Sequence, residues 1–217
     1  MNRSTTLIMI LTCTLASCAG TLFQSKAAPP TVYLLSAGAG SDAAATPASA
    51  APAAKLPIDL AILKPKVRVG LESDRIAALY PDRHLDYFAG SRWSGPLGDA
   101  LQDLAVREFH SHANFARVSG DASVFASAYW LEIEVMDFQA EYSSAAAAPT
   151  VHVHLLARIG NSGDRRVLGQ FEANAQQPAA ENRLTAIVDA YARAADSALG
   201  EIAVSTYEAL AKSSDAR

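Results

Sequence analysis

This sequence predicts an α+β domain with a largely antiparallel sheet and two main helices packed on one face of it. Three observations lead there. Segments with apolar residues at every second position recur between Ile58 and Phe171, the period of half-buried strands. Two stretches instead repeat apolar residues at three- and four-residue spacing, one following Pro96 and one from about Asn182 to near Lys212. Strands, helix, strands and helix follow one another without strand–helix–strand alternation or internal repeat, so a doubly wound parallel sheet is not expected.

The chain opens with a segment not expected in the folded domain. Asn2 and Arg3 supply a short positive start, and Leu7 to Leu15 an apolar run well short of the about 20 residues that cross a bilayer. Leu15-Ala16-Ser17-Cys18 then forms a lipobox, in which small side chains give an enzyme access to the Cys18 thiol. Residues 1–17 are therefore read as a lipoprotein signal peptide, and Cys18 as the lipidated residue. Residue 19 is Ala rather than the Asp that marks inner-membrane retention. The expected site is the periplasmic face of the outer membrane of a Gram-negative bacterium, held durably by several acyl chains on one cysteine. Loss of residues 1–17 removes one base, Arg3, and no acid, so the formal charge moves from −4 to 17 − 22 = −5. A mildly acidic chain without a basic cluster is not expected to bind nucleic acid. Cys13 lies in the signal and Cys18 is committed to lipid, which leaves no thiol for a disulfide, a zinc site or a nucleophile.

Residues 18–30 read as a lipidated tether whose Pro29-Pro30 favours an extended exit. Residues 31–36 form a first strand, from the β-branched and aromatic run Thr31-Val32-Tyr33-Leu34-Leu35. Residues 37–55 are almost wholly Ala, Gly, Ser, Thr and Pro, with nothing large to bury, and are expected to be a disordered insertion. Residues 56–213 complete the single domain. Ile58, Leu60 and Ile62 alternate with Asp59 and Ala61 in a half-buried strand, with Val67-Arg68-Val69 as its continuation. Arg75 to Tyr80 and His84 to Phe88 are two short strands about a Pro81-Asp82 turn. Ser94 is placed to cap the first helix and Pro96 suits its first turn. Leu97, Leu101, Leu104 and Phe109 line its inner face, with Asp99, Gln102, Asp103 and Arg107 outside.

Phe115 to Val118 predicts a short strand, and Tyr129 to Tyr142 the longest one. In the latter, Leu131, Ile133 and Val135 share one parity while Met136 and Phe138 take the other, so a bulge near Val135-Met136 is expected. Val151, Val153, Leu155 and Ala157 make the next strand, and Val167, Gly169 and Phe171 the one after, across the turn Asn161-Ser162-Gly163-Asp164. Leu184, Ile187, Val188, Tyr191, Ala195, Leu199, Ile202 and Tyr207 trace the stripe of the closing helix.

Residues that carry chemistry are few. His152 and His154 project from one face of a strand and, with Glu132 or Glu134 beside them, could share a metal. Without further ligand spacing they read instead as surface histidines paired with those glutamates, and no metal or other cofactor is expected. His110 and His112, two apart near a helix end, do not face each other and read as surface. Neither Ser73 nor Ser94 sits on a nucleophile elbow, and Gly38-Ala39-Gly40 lacks the lysine of a phosphate loop.

The densest constellation combines Asp74 and Arg75 with Tyr87, Arg92 and Trp93. It offers no nucleophile–base pair and reads either as a partner interface or as the fold's key packing block; Arg75 with Asp74 or Asp86 would make a strand-edge ion pair. Tyr33-Leu34-Leu35, then Ser73-Asp74-Arg75-Ile76-Ala77, then Asp86-Tyr87-Phe88-Ala89-Gly90-Ser91-Arg92-Trp93 resembles the ABC-type transport auxiliary lipoproteins. That family includes the paraquat-inducible lipoproteins of Gram-negative envelopes. The resemblance continues through Tyr129-Trp130-Leu131, Phe138 and the alanine-rich closing helix. It implies a non-enzymatic periplasmic accessory of a system built from a permease, an ATPase and a mammalian-cell-entry (MCE) substrate-binding protein. Such systems move lipids or other hydrophobic compounds between two membranes. The lipoprotein would dock that assembly at the outer membrane as a homo-oligomer, for instance a ring. The alternative is a structural lipoprotein of an outer-membrane secretion or pore assembly, which would require a membrane-inserting hairpin that is not evident in the sequence.

Overall fold

The computed structural model describes residues 28–36, 55–120 and 127–215. The signal peptide, Cys18 with most of the tether, and all but the last residue of the low-complexity insertion lie outside them. From Thr31 onward the chain forms one compact unit. Its elements are β1 (Thr31–Tyr33), β2 (Leu56–Ile62), β3 (Lys66–Val67), β4 (Arg75–Leu79), β5 (Leu85–Trp93), α1 (Leu97–His112), β6 (Phe115–Ser119), β7 (Tyr129–Glu141), β8 (Thr150–Asn161), β9 (Val167–Pro178) and α2 (Leu184–Asp215).

The sheet is built on β7. Along one of its edges lie three short strands, end to end and parallel to it. β2 meets Tyr129–Leu131, β3 meets Glu134 and Val135, and β4 meets Ala140 and Glu141. Pro65 separates β2 from β3, because a residue without an N–H cannot continue the ladder; Val67 is therefore in a separate strand rather than a continuation. Along the other edge β8 runs antiparallel over the whole of β7, and β9 runs antiparallel to β8. Outside the short strands, β6 adds parallel to β2, β5 antiparallel to β4, and β1 parallel to β5. The long registers are antiparallel and the parallel ones span a few residues each, so the domain is α+β with a largely antiparallel sheet.

Both helices lie on one face, α2 across β8 and β9, and α1 over β2, β3 and β6 with its side against α2. The apolar stripes explain this placement. Leu97, Leu101, Leu104 and Phe109 of α1 are buried, as are Ile187, Tyr191, Ala195, Leu199 and Ile202 of α2. They meet Val151, Val153, Leu155 and Ile159 of β8 and the inner side of β7. On β7 the inner residues are Leu131, Ile133 and Val135 and then, across a register shift between Val135 and Asp137, Phe138 and Ala140. The expected bulge is present, and it keeps one apolar face along the whole strand. No described helix is long and apolar enough to cross a membrane.

Three local expectations are corrected. Ser94 does not cap α1: the cap position is Pro96, whose side chain has no acceptor, and the Leu97 amide, one of the four without an intrahelical partner, donates to the carbonyl of Ser73. β5 does not end at Phe88 but continues to Trp93, because a bulge with Gly90 at φ +66° carries it across to pair with β1. β9 continues past Phe171 to Pro178, where Ala173 and Ala175 are small enough to lie directly beneath α2.

Candidate functional site

The constellation on β4 and β5 divides by face. Trp93 is 1% exposed, edge-on to Tyr191 of α2 at 5.3 Å and to Phe138 of β7 at 6.2 Å between ring centroids. Tyr191 in turn donates its hydroxyl to the carbonyl of Ala77 at 2.6 Å, and burial pushes that phenol well above its ordinary pKa. Of the two readings for this block, Trp93 belongs to packing: its ring joins helix to sheet and is not available to a partner.

The other four residues face outward. The Arg75 guanidinium carbon lies 3.6 Å from the centre of the Tyr87 ring, within cation–π range. The Tyr87 hydroxyl donates to the carbonyl of Gly70 at 2.6 Å, which ties β5 to the loop after β3. Gly70 holds φ +96°, a conformation that glycine adopts without penalty. Arg92 meets Asp74 at 3.6 Å, with side chains 47% and 38% exposed. The expected pairing of Arg75 with Asp74 or Asp86 is thus not formed: Asp74 goes to Arg92, and an Asp86 carboxylate oxygen accepts from the Tyr87 amide at 2.7 Å. Asp86 lies across from Ala78, and the β5 bulge sets Arg92 rather than Ala89 across from Arg75.

The open sheet face carries the histidines. Their partners are not Glu132 and Glu134, which lie opposite Arg158 and Leu156, whereas His154 lies opposite Asp137 and His152 opposite Gln139. His154 meets Glu172 of β9 at 2.9 Å and Asp137 at 3.6 Å, and His152 meets Glu141 at 3.6 Å. Glu132 is held instead by Lys66 and by Arg158, the latter at 2.7 Å; the hydrogen bond from Lys66 foremost, aided by the charge on Arg158, keeps its carboxyl below its ordinary pKa in spite of the opposing effect of burial. No group of three or more His, Cys, Asp or Glu among the described residues is arranged to hold a metal ion. Two open grooves lie on this face. One, of about 380 Å³, has Glu132, Glu134, Arg158 and Phe171 in its walls. The other, of about 620 Å³, is rimmed by Val69 and Leu85 over a floor of Asp137, Gln139 and Glu141. His110 is exposed, as expected for a surface residue.

One feature went unnoticed in the sequence. Glu108 of α1 is 3% exposed, and burial, then a hydrogen bond and charge from Asp196 of α2, raise its pKa to about 7. Its position four residues after Leu104 on the buried stripe was the available signal.

Comparison with known proteins adds what geometry alone does not. The model of the ABC-type transport auxiliary lipoprotein component family matches residues 33–203, from β1 into α2. The crystal structure of protein XCC0632 from Xanthomonas campestris is 24% identical and superposes with a TM-score of 0.68, covering 86% of this chain and 97% of that one. An uncharacterised protein of known structure, 13% identical, reaches a TM-score of 0.62 over 82% of this chain and 99% of its own. A PelC dodecamer from Paraburkholderia phytofirmans, 12% identical over 69% of this chain and 89% of that one, reaches 0.43. No curated protein matches the chain.

Proposed function

The chain belongs to the ABC-type transport auxiliary lipoprotein component family, and from that premise we propose that it is the outer-membrane end of an intermembrane transport system. In this reading Cys18 carries the lipid that anchors the protein on the periplasmic face of the outer membrane. The domain works by docking, not by catalysis. Its partners are an MCE-type substrate-binding protein with its permease and ATPase, and the cargo is a lipid or another hydrophobic compound. The observation that carries the reading is the family match from β1 into α2, joined to the lipobox at Leu15–Cys18. The docking surface assigned here is the outward side of the β4–β5 pair, where Arg75, Tyr87, Arg92 and Asp74 are accessible and Trp93 holds them from behind.

Affinity capture of the lipidated protein from cross-linked cells, with partners identified by mass, tests both parts. Recovery of an MCE protein with its permease and ATPase is the expected result; recovery of secretion components alone overturns the transport assignment. Arg75→Ala/Arg92→Ala is expected to fold and to lose at least half of the captured partner. Undiminished capture by that variant removes this surface from the interface.

A further inference from the structure

We propose that Arg75 and Arg92, opposed on the outward side of β4 and β5, form a clamp for a carboxylate of another polypeptide. The partner presents an extended segment in which an acidic side chain follows an aliphatic one two residues earlier. This rests on the reading of that side as the docking surface, and it names the chemistry of what the surface receives.

Arg75 and Arg92 are direct partners in the antiparallel β4–β5 ladder and share one face of it. Like charges so placed repel one another, and a carboxylate set between them turns that repulsion into two charge-assisted contacts. Neither guanidinium is saturated from within. Arg75 lies 3.6 Å from the centre of the Tyr87 ring, which fixes its position while leaving its N–H groups to other acceptors. The ring is itself held, because the Tyr87 hydroxyl donates to the Gly70 carbonyl at 2.6 Å. Arg92 meets Asp74 at 3.6 Å, longer than a hydrogen bond, and both side chains remain partly exposed. A carboxylate thus already stands at the margin of the pair, and an incoming one has only to displace it. Asp86 does not compete: it accepts from the Tyr87 amide and lies opposite Ala78, on the alternate face of β4 from Arg75.

The surroundings fit a polypeptide better than a free anion. Val32 of β1 is the register partner of Arg92 and is 53% exposed, and Leu34, two residues on, is 71% exposed. Val32, Arg92 and Arg75 therefore stand in one row across three neighbouring strands, β1, β5 and β4. Adjacent strands lie about 4.8 Å apart, so the midpoint of the two arginines is about 7 Å from Val32. In an extended chain, side chains two residues apart point the same way and are also separated by about 7 Å. A segment laid across the row can thus set an aliphatic side chain on Val32 and a carboxylate between the arginines at the same time. The bare apolar surface beside the clamp supplies the burial that an exposed ion pair by itself does not.

The test is fluorescence anisotropy of labelled octapeptides titrated with the full-length lipidated protein in neutral detergent micelles at low salt. One peptide repeats valine-serine-glutamate-serine, and its counterpart has glutamine in place of glutamate. The wild type is expected to bind the glutamate peptide about fivefold or more tighter than the glutamine peptide. Arg75→Gln/Arg92→Gln is expected to bind the two equally. Asp74→Asn removes the internal competitor and is expected to bind the glutamate peptide about twofold or more tighter than the wild type does, a gain that a folding defect cannot produce. Equal binding of the two peptides by the wild type, a preference that survives in Arg75→Gln/Arg92→Gln, or no gain in Asp74→Asn each overturns the clamp. Loss of partner capture by Arg75→Ala/Arg92→Ala, joined to no preference for glutamate in the wild type, overturns the clamp and leaves the docking surface standing, so the two failures are distinguishable.

Discussion

On the helix-covered side of β7, Leu131, Ile133, Val135 and Phe138 are almost wholly withdrawn from water and none of them is polar. On the other side of the same strand, Glu132, Asp137 and Glu141 stand among Lys66, Arg68, Arg158, His152 and His154, in pairs that remain partly exposed. One strand therefore serves two purposes. The covered side supplies the free energy of folding through burial. The open side adds little per pair, since exposed charges gain little over their interactions with water. It is consequently free to vary or to receive a partner without endangering the fold. Trp93 and Arg92 repeat the contrast within two consecutive residues.

Three measurements press on this contrast, in order of expected effect. Trp93→Ala empties the junction of β5, β7 and α2 and is expected to cost about 3–5 kcal/mol in urea unfolding. A cost below about 1 kcal/mol would mean that the covered side does not hold the fold.

Glu108 is the exception on the covered side, a carboxyl between two helices with its pKa raised from 4.5 to about 7. A carboxyl with a higher pKa in the folded than in the unfolded state binds more protons when folded, so its contribution is present below about 4.5 and is lost as pH rises to about 7. Stability at pH 8 is expected to lie about 2–3 kcal/mol below that at pH 4.5 on this account. Glu108→Gln should flatten that slope in thermal unfolding followed across the window; an unchanged slope would assign it to other groups.

The smallest effect belongs to the open side. Arg158→Ala breaks the pair with Glu132, whose Lys66 partner remains, and is expected to cost less than about 1 kcal/mol. The difference from wild type should shrink further in high salt, as screening predicts. A cost rivalling that of Trp93→Ala would erase the distinction between the two faces.

Much of the fold is legible in the residues because it rests on periodicity. The parity change from Val135 to Phe138 announces the β7 bulge, and the stripes from Leu97 to Phe109 and from Leu184 to Ile202 announce both helices. The five-residue constellation of Asp74, Arg75, Tyr87, Arg92 and Trp93 is legible as a group, but its division between core and surface is not. Nothing in the local sequence tells that a bulge carrying Gly90 turns Trp93 inward while leaving Arg92 outside. The pairing of the histidines is hidden for a related reason: the register of β7 on β8 is not written in either strand, and it places Glu132 and Glu134 opposite Arg158 and Leu156, with His154 opposite Asp137.

Fold class, the strand and helix stripes and the resemblance that the family match bears out are legible in the residues, because each is written in local spacing or in a contiguous motif. Tertiary structure alone decided which charges meet, that Trp93 is core and that Glu108 lies against Asp196. Those facts depend on register and on which elements become neighbours, and both are settled only when distant segments close on one another and bury their apolar sides together.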